Sequence, residues 1–177
     1  MEDIDDAAVA IARWEELFRS ARHSMFKTEV LPDYTAVDDG PSLQAWLRGD
    51  EAEAKRLAWE MMSPWVAERK ASTAAITRVR IVDEPFTPYL AWEVACLYTI
   101  FEQTGTEDVR LVQRERLSHL VLPSADFWIF DGETVLVWKF AGRQNATAGA
   151  VILRADDAEA ATYMRLQGDL LEATRIR

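Results

Sequence analysis

The chain has 177 residues, with 30 acidic against 20 basic side chains, a formal net charge of −10 and 49% hydrophobic residues. This composition is typical of a compact globular protein and argues against a disordered, collagen-like or disulfide-stapled chain. Cys96 is the single cysteine, no apolar run approaches the roughly 20 residues of a membrane span, and the acidic start lacks the basic region of a signal peptide. We therefore expect a cytoplasmic location and no membrane partner.

The excess of negative charge also limits the classes of partner. Acidic residues outnumber basic ones in both halves of the chain, whereas nucleic-acid binding depends on Lys and Arg that neutralise phosphates. Direct DNA binding would need an exposed arginine stripe, made of Arg78, Arg80, Arg110, Arg114 and Arg116. The composition instead favours a basic protein partner or a small-molecule ligand, and no direct nucleic-acid partner.

The N-terminal part of the chain has mainly helical patterns. Apolar residues at helical spacing predict a helix over residues 4–21, and alternating apolar and polar residues predict a short strand over residues 24–31. A serine before an apolar run predicts a helix over residues 42–47. The next stretch predicts two helices, over residues 51–62 and 64–70, because proline is tolerated in the first turn of a helix but not in its interior.

The middle of the chain predicts a βαβ crossover. Residues 78–82 have a strand pattern, residues 89–103 repeat apolar side chains at helical spacing, and residues 109–112 have a second strand pattern. Thr87 followed by a proline is a typical helix start, and Gly105 is a typical helix end. Two strands joined through a long helix are expected to be parallel, with a right-handed connection.

The C-terminal part predicts a β-hairpin and a closing helix. Apolar runs over residues 127–130 and 134–140 flank Asp131-Gly132, a dipeptide that favours a tight hairpin turn. Residues 150–153 predict a further antiparallel strand. An aspartate at position 156 or 157 is the expected cap of a last helix that ends near residue 175.

Together these elements predict an α/β (α+β) fold with a mixed sheet of five or six strands, one βαβ crossover and a C-terminal hairpin, flanked by helices. A chain of this length buries enough surface for one core. We expect a single domain over residues 1–177, with a mainly helical N-terminal portion over residues 1–72 and an α/β core over residues 73–177.

Motifs that identify an enzyme class are missing from the sequence. The two histidines, His23 and His119, are far apart, and no Cys or His pattern has metal-ligand spacing. No phosphate-binding loop and no G-x-S-x-G motif occurs. Cys96 lies in the apolar helix pattern, where a buried structural thiol is expected. The sequence therefore predicts no metal, no cofactor and no catalytic residue.

Carboxylates and aromatic residues near the strand ends are the remaining candidates for a site. Ligands of open α/β sheets bind outside the carboxyl ends of the strands, and Glu84 follows the first core strand. The predicted ligand-binding or partner-binding pocket comprises Glu84, Tyr89, Glu93, Asp126 and Trp128. The simpler alternative is that these carboxylates only satisfy helix, loop and turn amides.

Three motifs in the chain resemble an actinobacterial family known only as a domain of unknown function. The family's versions read roughly F-R-L-E…Y, then R-V-R-V-V-S-E-P…Y…F-E, then D-F-W-L-F-D. The matching segments here are Phe26-Lys27-Thr28-Glu29 with Tyr34, Arg78-Val79-Arg80-Ile81-Val82 with Glu84-Pro85, Tyr89 and Glu93, and Asp126-Phe127-Trp128-Ile129-Phe130-Asp131. The resemblance covers about residues 15–175. Lys27 and Thr28 depart from the usual Arg and Leu, and Asp83 stands where Ser is common.

This resemblance implies a regulatory role through a protein partner, because genes of the family often lie beside those of helix-turn-helix transcriptional regulators. It implies no established activity. The crossover, the hairpin and the last helix also resemble, more remotely, phospholipase-D-like modules of transcriptional regulators. The chain lacks their catalytic H-x-K signature, since Ser24-Met25 follows His23 and Leu120-Val121 follows His119. Such a module would be catalytically inactive.

The leading hypothesis is a non-enzymatic cytoplasmic module that binds a protein partner, such as a helix-turn-helix regulator, with or without a small ligand. The alternative is a small enzyme, in specialised metabolism, with a carboxylate-centred site. That alternative requires Glu84, Glu93 and Asp126 to form a concave, accessible cluster with at least one raised pKa.

Overall fold

A seven-stranded mixed sheet is the framework of the fold in the computed structural model, which describes residues 1–34, 40–141 and 146–175. The strands are β1 (Glu2–Ile4), β2 (Ser24–Glu29), β3 (Ala75–Val82), β4 (Asp108–Gln113), β5 (Phe127–Phe130), β6 (Thr134–Ala141) and β7 (Ala146–Arg154). Their order across the sheet is β1-β7-β6-β5-β2-β3-β4. The mixed α/β fold class is confirmed, with more strands than the five or six expected.

Helices cover both faces of this sheet. They are α1 (Ala7–Ser20), α2 (Pro41–Leu47), α3 (Glu51–Ala71), α4 (consecutive segments Pro88–Trp92, Glu93–Tyr98 and Thr99–Thr104) and α5 (Ala160–Ala173). A 3-10 turn, Arg114–Leu117, follows β4. Within the described ranges, no helix is long and apolar enough to cross a membrane.

The predicted βαβ crossover is confirmed, because β3 and β4 are parallel and α4 connects them. Thr87 caps α4, since its hydroxyl accepts the Leu90 N–H at 3.1 Å, and Gly105 ends the helix with a positive φ of 64°. A second parallel pair lies beside it. Strands β2 and β3 pair with Lys27 opposite Arg78 and Glu29 opposite Arg80, so a strand from the N-terminal portion lies inside the common sheet.

The predicted hairpin is also confirmed. Strands β5 and β6 pair in antiparallel register with Phe130 opposite Thr134. Asp131 and Gly132 both have positive φ, 52° and 71°, the conformation that a tight primed turn requires. The Asp131 carboxylate has a second role, since it accepts the backbone N–H groups of residues 22, 23 and 24 at 2.8–2.9 Å.

The prediction of two helices separated at Pro64 is wrong, because α3 continues through this proline. Proline removes one N–H donor, and the carbonyl that loses its partner belongs to Glu60, an exposed residue at which water can replace the bond. Ala58 and Val66, on either side, are buried against α4. The packing of both halves of α3 on one core therefore keeps the helix continuous.

Both termini differ from the sequence prediction in detail. Residues 2–4 form β1 beside β7, and α1 begins only at Ala7, capped by the Asp6 carboxylate, which accepts the Val9 N–H at 2.9 Å. At the other end, α5 begins at Ala160. Asp157 does not cap it directly; its carboxylate accepts the Arg154 N–H at 2.8 Å instead.

Alternation along the strands assigns side chains to two faces of the sheet. On one face, Phe26 and Val79 pack with Leu166 and Leu170 of α5. On the other face, the first half of β2 packs under α1, with Met25 beside Trp128. The second half of β2 lies under α4, and there the core becomes charged.

Candidate functional site

Charged side chains of two neighbouring strands form a buried cluster under α4. Lys27 and Glu29 of β2 lie opposite Arg78 and Arg80 of β3 on the same sheet face. Glu29 is 3%, Arg78 7% and Arg80 0% exposed. Buried charges are strongly unfavourable unless they are paired, so the cluster must be neutralised by internal partners.

Glu29 is the most highly connected carboxylate of the cluster. Its Oε1 accepts from Lys27 Nζ at 2.5 Å and from Arg78 Nη1, and its Oε2 accepts from Tyr98 Oη at 2.7 Å. Burial alone would raise the pKa of Glu29, but the positive charges of Arg78 and Lys27 outweigh it and hold this pKa well below its usual range. Glu29 is therefore a permanent anion.

Arg78 connects Glu29 to a second buried carboxylate, Glu107. Arg78 Nε donates to Glu107 Oε2 at 2.8 Å, and Trp65 Nε1 donates to Glu107 Oε1 at 2.8 Å. The guanidinium also lies over the ring of Phe101, 5.3 Å from its centroid. Arg78 thus has one carboxylate on each side and an aromatic ring against its face, an arrangement suited to a planar guanidinium.

Arg80 and Glu93 form a pair whose polar atoms are incompletely satisfied. Arg80 Nη1 donates to the Leu31 carbonyl at 2.5 Å, and Arg80 Nε lies 3.1 Å from Glu93 Oε2. Within the part of the chain that the structure describes, Arg80 Nε, Arg80 Nη2 and Glu93 Oε2 have no well-oriented hydrogen bond. Burial, and then the charge of Glu29, raise the pKa of Glu93 to about 7.

Asp126 is held by neutral donors. Val30 N donates to its Oδ1 at 2.8 Å, and Tyr34 Oη donates to its Oδ2 at 2.6 Å. Asp126 is 3% exposed, and burial, reinforced by the charge of Glu29, raises its pKa to about 6. A carboxylate with these properties can hold or release a proton near neutral pH.

Four charged residues of the cluster, Lys27, Glu29, Glu93 and Asp126, line a cavity of about 170 Å³ near the carboxyl end of β2. Its walls combine carboxylates, one lysine, one threonine and four aromatic rings: Lys27, Glu29, Tyr34, Tyr89, Glu93, Asp126, Trp138, Phe140 and Thr147. Tyr34 is central to the aromatic part, with ring centroids 6.1 Å from Tyr89 and 6.5 Å from Phe140. The cavity can therefore offer hydrogen-bond acceptors and ring faces to the same small molecule.

Three of the five residues in the sequence-predicted pocket line this cavity, namely Tyr89, Glu93 and Asp126. Glu84 does not, because it is exposed in the turn after β3 and accepts a hydrogen bond from Gln113 Nε2 at 2.8 Å. Trp128 lies on the same sheet face but under α1, stacked on Phe130. Lys27, which lines the cavity, has its Nζ 5.4 Å from the Trp128 ring centroid. Glu84 and Trp128 thus lie outside the cavity.

Sequence reasoning missed the remaining lining residues, which are Lys27, Glu29, Tyr34, Trp138, Phe140 and Thr147. One signal was available. Lys27 and Glu29 alternate along β2 as Arg78 and Arg80 alternate along β3, and parallel pairing of these strands places opposite charges side by side. Arg78 and Arg80, two of the five arginines in the stripe that direct DNA binding would need, are buried.

The middle segment of α4, Glu93–Tyr98, is π-helical, which the helical periodicity did not predict. Glu93 and Tyr98, at its two ends, both direct their polar groups into the cluster, toward Arg80 and Glu29. π-helical turns are rare and often occur at functional sites. In the described ranges no group of three or more His, Cys, Asp or Glu side chains has an arrangement that could hold a metal ion.

Comparison with known proteins gives one family. A model of a domain of unknown function (DUF6879) matches residues 12–173, so the chain belongs to this family, and the expected membership in a family of unknown function is confirmed. No curated protein matches the chain. All three motifs on which the resemblance rests contribute to the cluster: the first supplies Glu29, the second Arg78 and Glu93, and the third Asp126.

Proposed function

We propose that this member of the DUF6879 family is a non-enzymatic binding module whose cavity holds a small polar molecule. The observation that carries this proposal is the cavity lined by two buried carboxylates, Glu93 and Asp126, of which Glu93 has one oxygen, Oε2, without a well-oriented hydrogen bond. A small-molecule site is expected to be a preformed concavity with apolar walls and a few convergent polar groups. Groups of raised pKa in a cleft point in the same direction.

Energetics support a functional reason for this cluster. Replacement of buried ion pairs by apolar residues of similar volume is often neutral or stabilising. Glu29, Arg78, Arg80 and Glu93 are all buried, and atoms of Arg80 and Glu93 lack well-oriented partners. A polar network with missing hydrogen-bond partners stabilises a core poorly. A bound ligand that supplied those partners would explain why the network is present.

Dialysis of the purified protein against a small-molecule extract of the cells that make it tests the proposal. Molecules retained by the protein are released by denaturation and identified by mass spectrometry. Thr147 lines the cavity and is half-buried, so Thr147→Phe should fill the space, while Thr162→Phe on the exposed side of α5 is the matched control. We expect wild type and the control to retain a molecule that Thr147→Phe loses. Equal retention by all three proteins would overturn the proposal.

We also propose that this module acts through a protein partner, such as a helix-turn-helix regulator. The net charge of −10 supports a partner with a basic surface. An affinity pull-down of the tagged protein, read by mass spectrometry, should recover one basic regulator in stoichiometric amount at low salt, and less of it at high salt. Recovery of the tagged protein alone at low salt would contradict this part of the proposal.

A small enzyme with a carboxylate-centred site is the second candidate. It is favoured by two cavity carboxylates, Glu93 and Asp126, whose pKa values are raised to about 7 and about 6, the range suited to general acid–base work. A molecule retained by the wild-type protein should then be converted over time, and Glu93→Gln should retain it unchanged. Recovery of the same intact molecule from both proteins would favour the non-enzymatic module.

A further inference from the structure

The carboxylates of the cluster differ in their partners. The carboxylates of the cluster are Glu29, Glu93, Glu107 and Asp126, and its cationic side chains are Lys27, Arg78 and Arg80. Glu29 and Glu107 share Arg78, Glu29 also has Lys27, and Glu93 lies against Arg80. Among the described residues, Asp126 is the carboxylate of this cluster that lies in no ion pair.

Asp126 is held by neutral hydrogen-bond donors. Its donors are the Val30 amide and the Tyr34 phenol, both neutral, and none of the ion pairs among the described residues includes it. Glu93 is the second group with unused capacity, since Oε2 has no well-oriented hydrogen bond although the residue is only 3% exposed. Both side chains line the same cavity. A positively charged donor placed there would meet two carboxylates.

The other walls of the cavity suit an organic cation. Tyr34, Tyr89, Trp138 and Phe140 contribute aromatic side chains, whose ring faces attract cations. The ammonium of Lys27, which would repel such a ligand, is already paired with Glu29 at 2.5 Å and lies over the ring of Trp128. A metal ion fits poorly with walls of this kind, because hard cations require several oxygen ligands around one point.

We infer that the ligand of this cavity is a small organic cation, a protonated amine whose N–H groups donate to Glu93 and Asp126 while its carbon atoms contact the rings of Tyr34 and Phe140. This inference rests on the proposed function and names the ligand class of the same site. The volume of about 170 Å³ limits the ligand to a small molecule. The raised pKa values of the two carboxylates agree with this inference. A carboxylate that holds a proton near neutral pH would release the proton when a cation binds beside it.

Three probes of one shape and different charge test the inference. They are 3,3-dimethylbutylammonium, the neutral 3,3-dimethylbutan-1-ol and the anion 3,3-dimethylbutanoate, each titrated into the full-length protein by calorimetry at neutral pH. The best ligands of this size gain at most about 1.5 kcal/mol per non-hydrogen atom, and the titrations extend to millimolar concentration. Charge-assisted hydrogen bonds are roughly twice as strong as neutral ones, so we expect the ammonium to bind at least about tenfold more tightly than the alcohol and the carboxylate to bind weakest.

Charge and ring contributions are separated by two pairs of variants. Glu93→Gln keeps the shape of the side chain and removes its charge, and Glu102→Gln is the matched control on an exposed part of α4. Phe140→Leu removes a ring from the cavity wall, and Phe86→Leu changes a ring outside it, 38% exposed. We expect Glu93→Gln and Phe140→Leu each to weaken ammonium binding by about threefold to tenfold. The two controls should bind like wild type.

The outcomes separate this inference from the proposed function. If the alcohol or the carboxylate binds as tightly as the ammonium, and Thr147→Phe abolishes that binding, the inference of a cationic ligand is wrong and the small-molecule site stands. If the cavity variants and their controls bind the ammonium equally, binding occurs elsewhere and the inference is wrong. If none of the three probes binds at millimolar concentration while the wild-type protein retains a molecule that Thr147→Phe loses, the inference is wrong and the small-molecule site stands; if no molecule is retained either, both are contradicted. Circular dichroism of each variant establishes that it is folded, and Phe140→Leu, which touches no ion pair, replaces Glu93→Gln if the latter is unfolded.

Discussion

Arg78→Met is the perturbation that measures how much the buried cluster stabilises the fold. Arg78 is 7% exposed and its guanidinium contacts both Glu29 and Glu107. Methionine fills similar volume but deprives buried Glu107 of the guanidinium and leaves it the Trp65 indole as its hydrogen-bond donor among the described residues. Removal of one partner from a buried ion pair costs about 3–5 kcal/mol. With a denaturant slope of about 2 kcal/mol per molar urea, the midpoint should fall by roughly 2 M.

A control exists on the surface of the same protein. Arg56 of α3 also pairs with two carboxylates, Glu53 and Glu60, but in solvent. Arg56→Met should leave the free energy of unfolding unchanged within experimental error, because exposed pairs contribute little. The assay is urea unfolding followed by tryptophan fluorescence and circular dichroism, with equal slopes required for comparison.

The Glu107 carboxylate supplies the second test of the same reasoning. In the Arg78→Met background, Glu107→Gln removes the unpaired charge and should recover part of the lost stability, whereas in the wild-type background it should be destabilising. The effect of Glu107→Gln on the free energy of unfolding should therefore change sign between the two backgrounds, which shows that residues 78 and 107 are energetically coupled. Equal effects of Arg78→Met and Arg56→Met, or additive effects of the Glu107 change, would refute the claim that Arg78 is held by buried carboxylates.

Further predictions concern pH, the hairpin turn and two glycines. Because burial raises the pKa of Glu93 to about 7 and of Asp126 to about 6, the folded state binds more protons than the unfolded state. The free energy of unfolding should therefore fall as pH rises from about 5 to 7, and Glu93→Gln should flatten this slope in urea titrations; equal slopes would contradict it. The charged and titratable groups that face these carboxylates are Lys27, Glu29, Tyr34, Arg78, Arg80 and Tyr98. Asp131→Gly keeps the positive φ but loses the carboxylate that accepts three backbone N–H groups, so the free energy of unfolding should fall by about 1 kcal/mol, and an unchanged value would refute the capping role. A Cβ at Gly149 would lie 2.1 Å from a backbone oxygen of β1, so Gly149→Ala should destabilise by about 1–3 kcal/mol and increase hydrogen exchange in β1. At Gly168 a Cβ meets nothing within 4 Å, so Gly168→Ala should raise the free energy of unfolding by up to about 1 kcal/mol. A Gly149→Ala variant that is more stable than Gly168→Ala would contradict the close approach of β1.

Local signals in the sequence are sufficient to predict the βαβ crossover and the β5–β6 hairpin. Thr87 followed by a proline and Gly105 bound the crossover helix, and Asp131-Gly132 formed the expected turn, because caps and tight turns depend on neighbouring residues only. The predicted break at Pro64 is wrong because it depends on residues that are distant in the sequence. A proline breaks an isolated helix, but whether packing on both sides keeps the helix continuous is decided by tertiary contacts.

The candidate site was only partly predictable for a similar reason. Glu93 is predicted from its place on the crossover helix, one turn beyond Tyr89, and Asp126 from its place beside the Trp128 strand; the topology brings both to one cavity. Glu84 is predicted from its place after the first core strand, but its side chain lies in an exposed turn. Taken alone, the alternating pattern of β2 predicts that Lys27 and Glu29 lie on a solvent-exposed face of the strand. Only its pairing with β3 shows that these charges neutralise each other in the core.

The most direct test of the account is an NMR titration of the tryptophan indole N–H signals with 3,3-dimethylbutylammonium. The chain has seven tryptophans; Trp138 lines the cavity, and Trp59 is exposed on α3. Assignment by single Trp→Phe variants identifies both signals. We expect a saturable shift of the Trp138 signal with no change at Trp59, and loss of the shift in Thr147→Phe. An unmoved Trp138 signal, or equal shifts at Trp59 and Trp138, would contradict the claim that this cavity is the binding site.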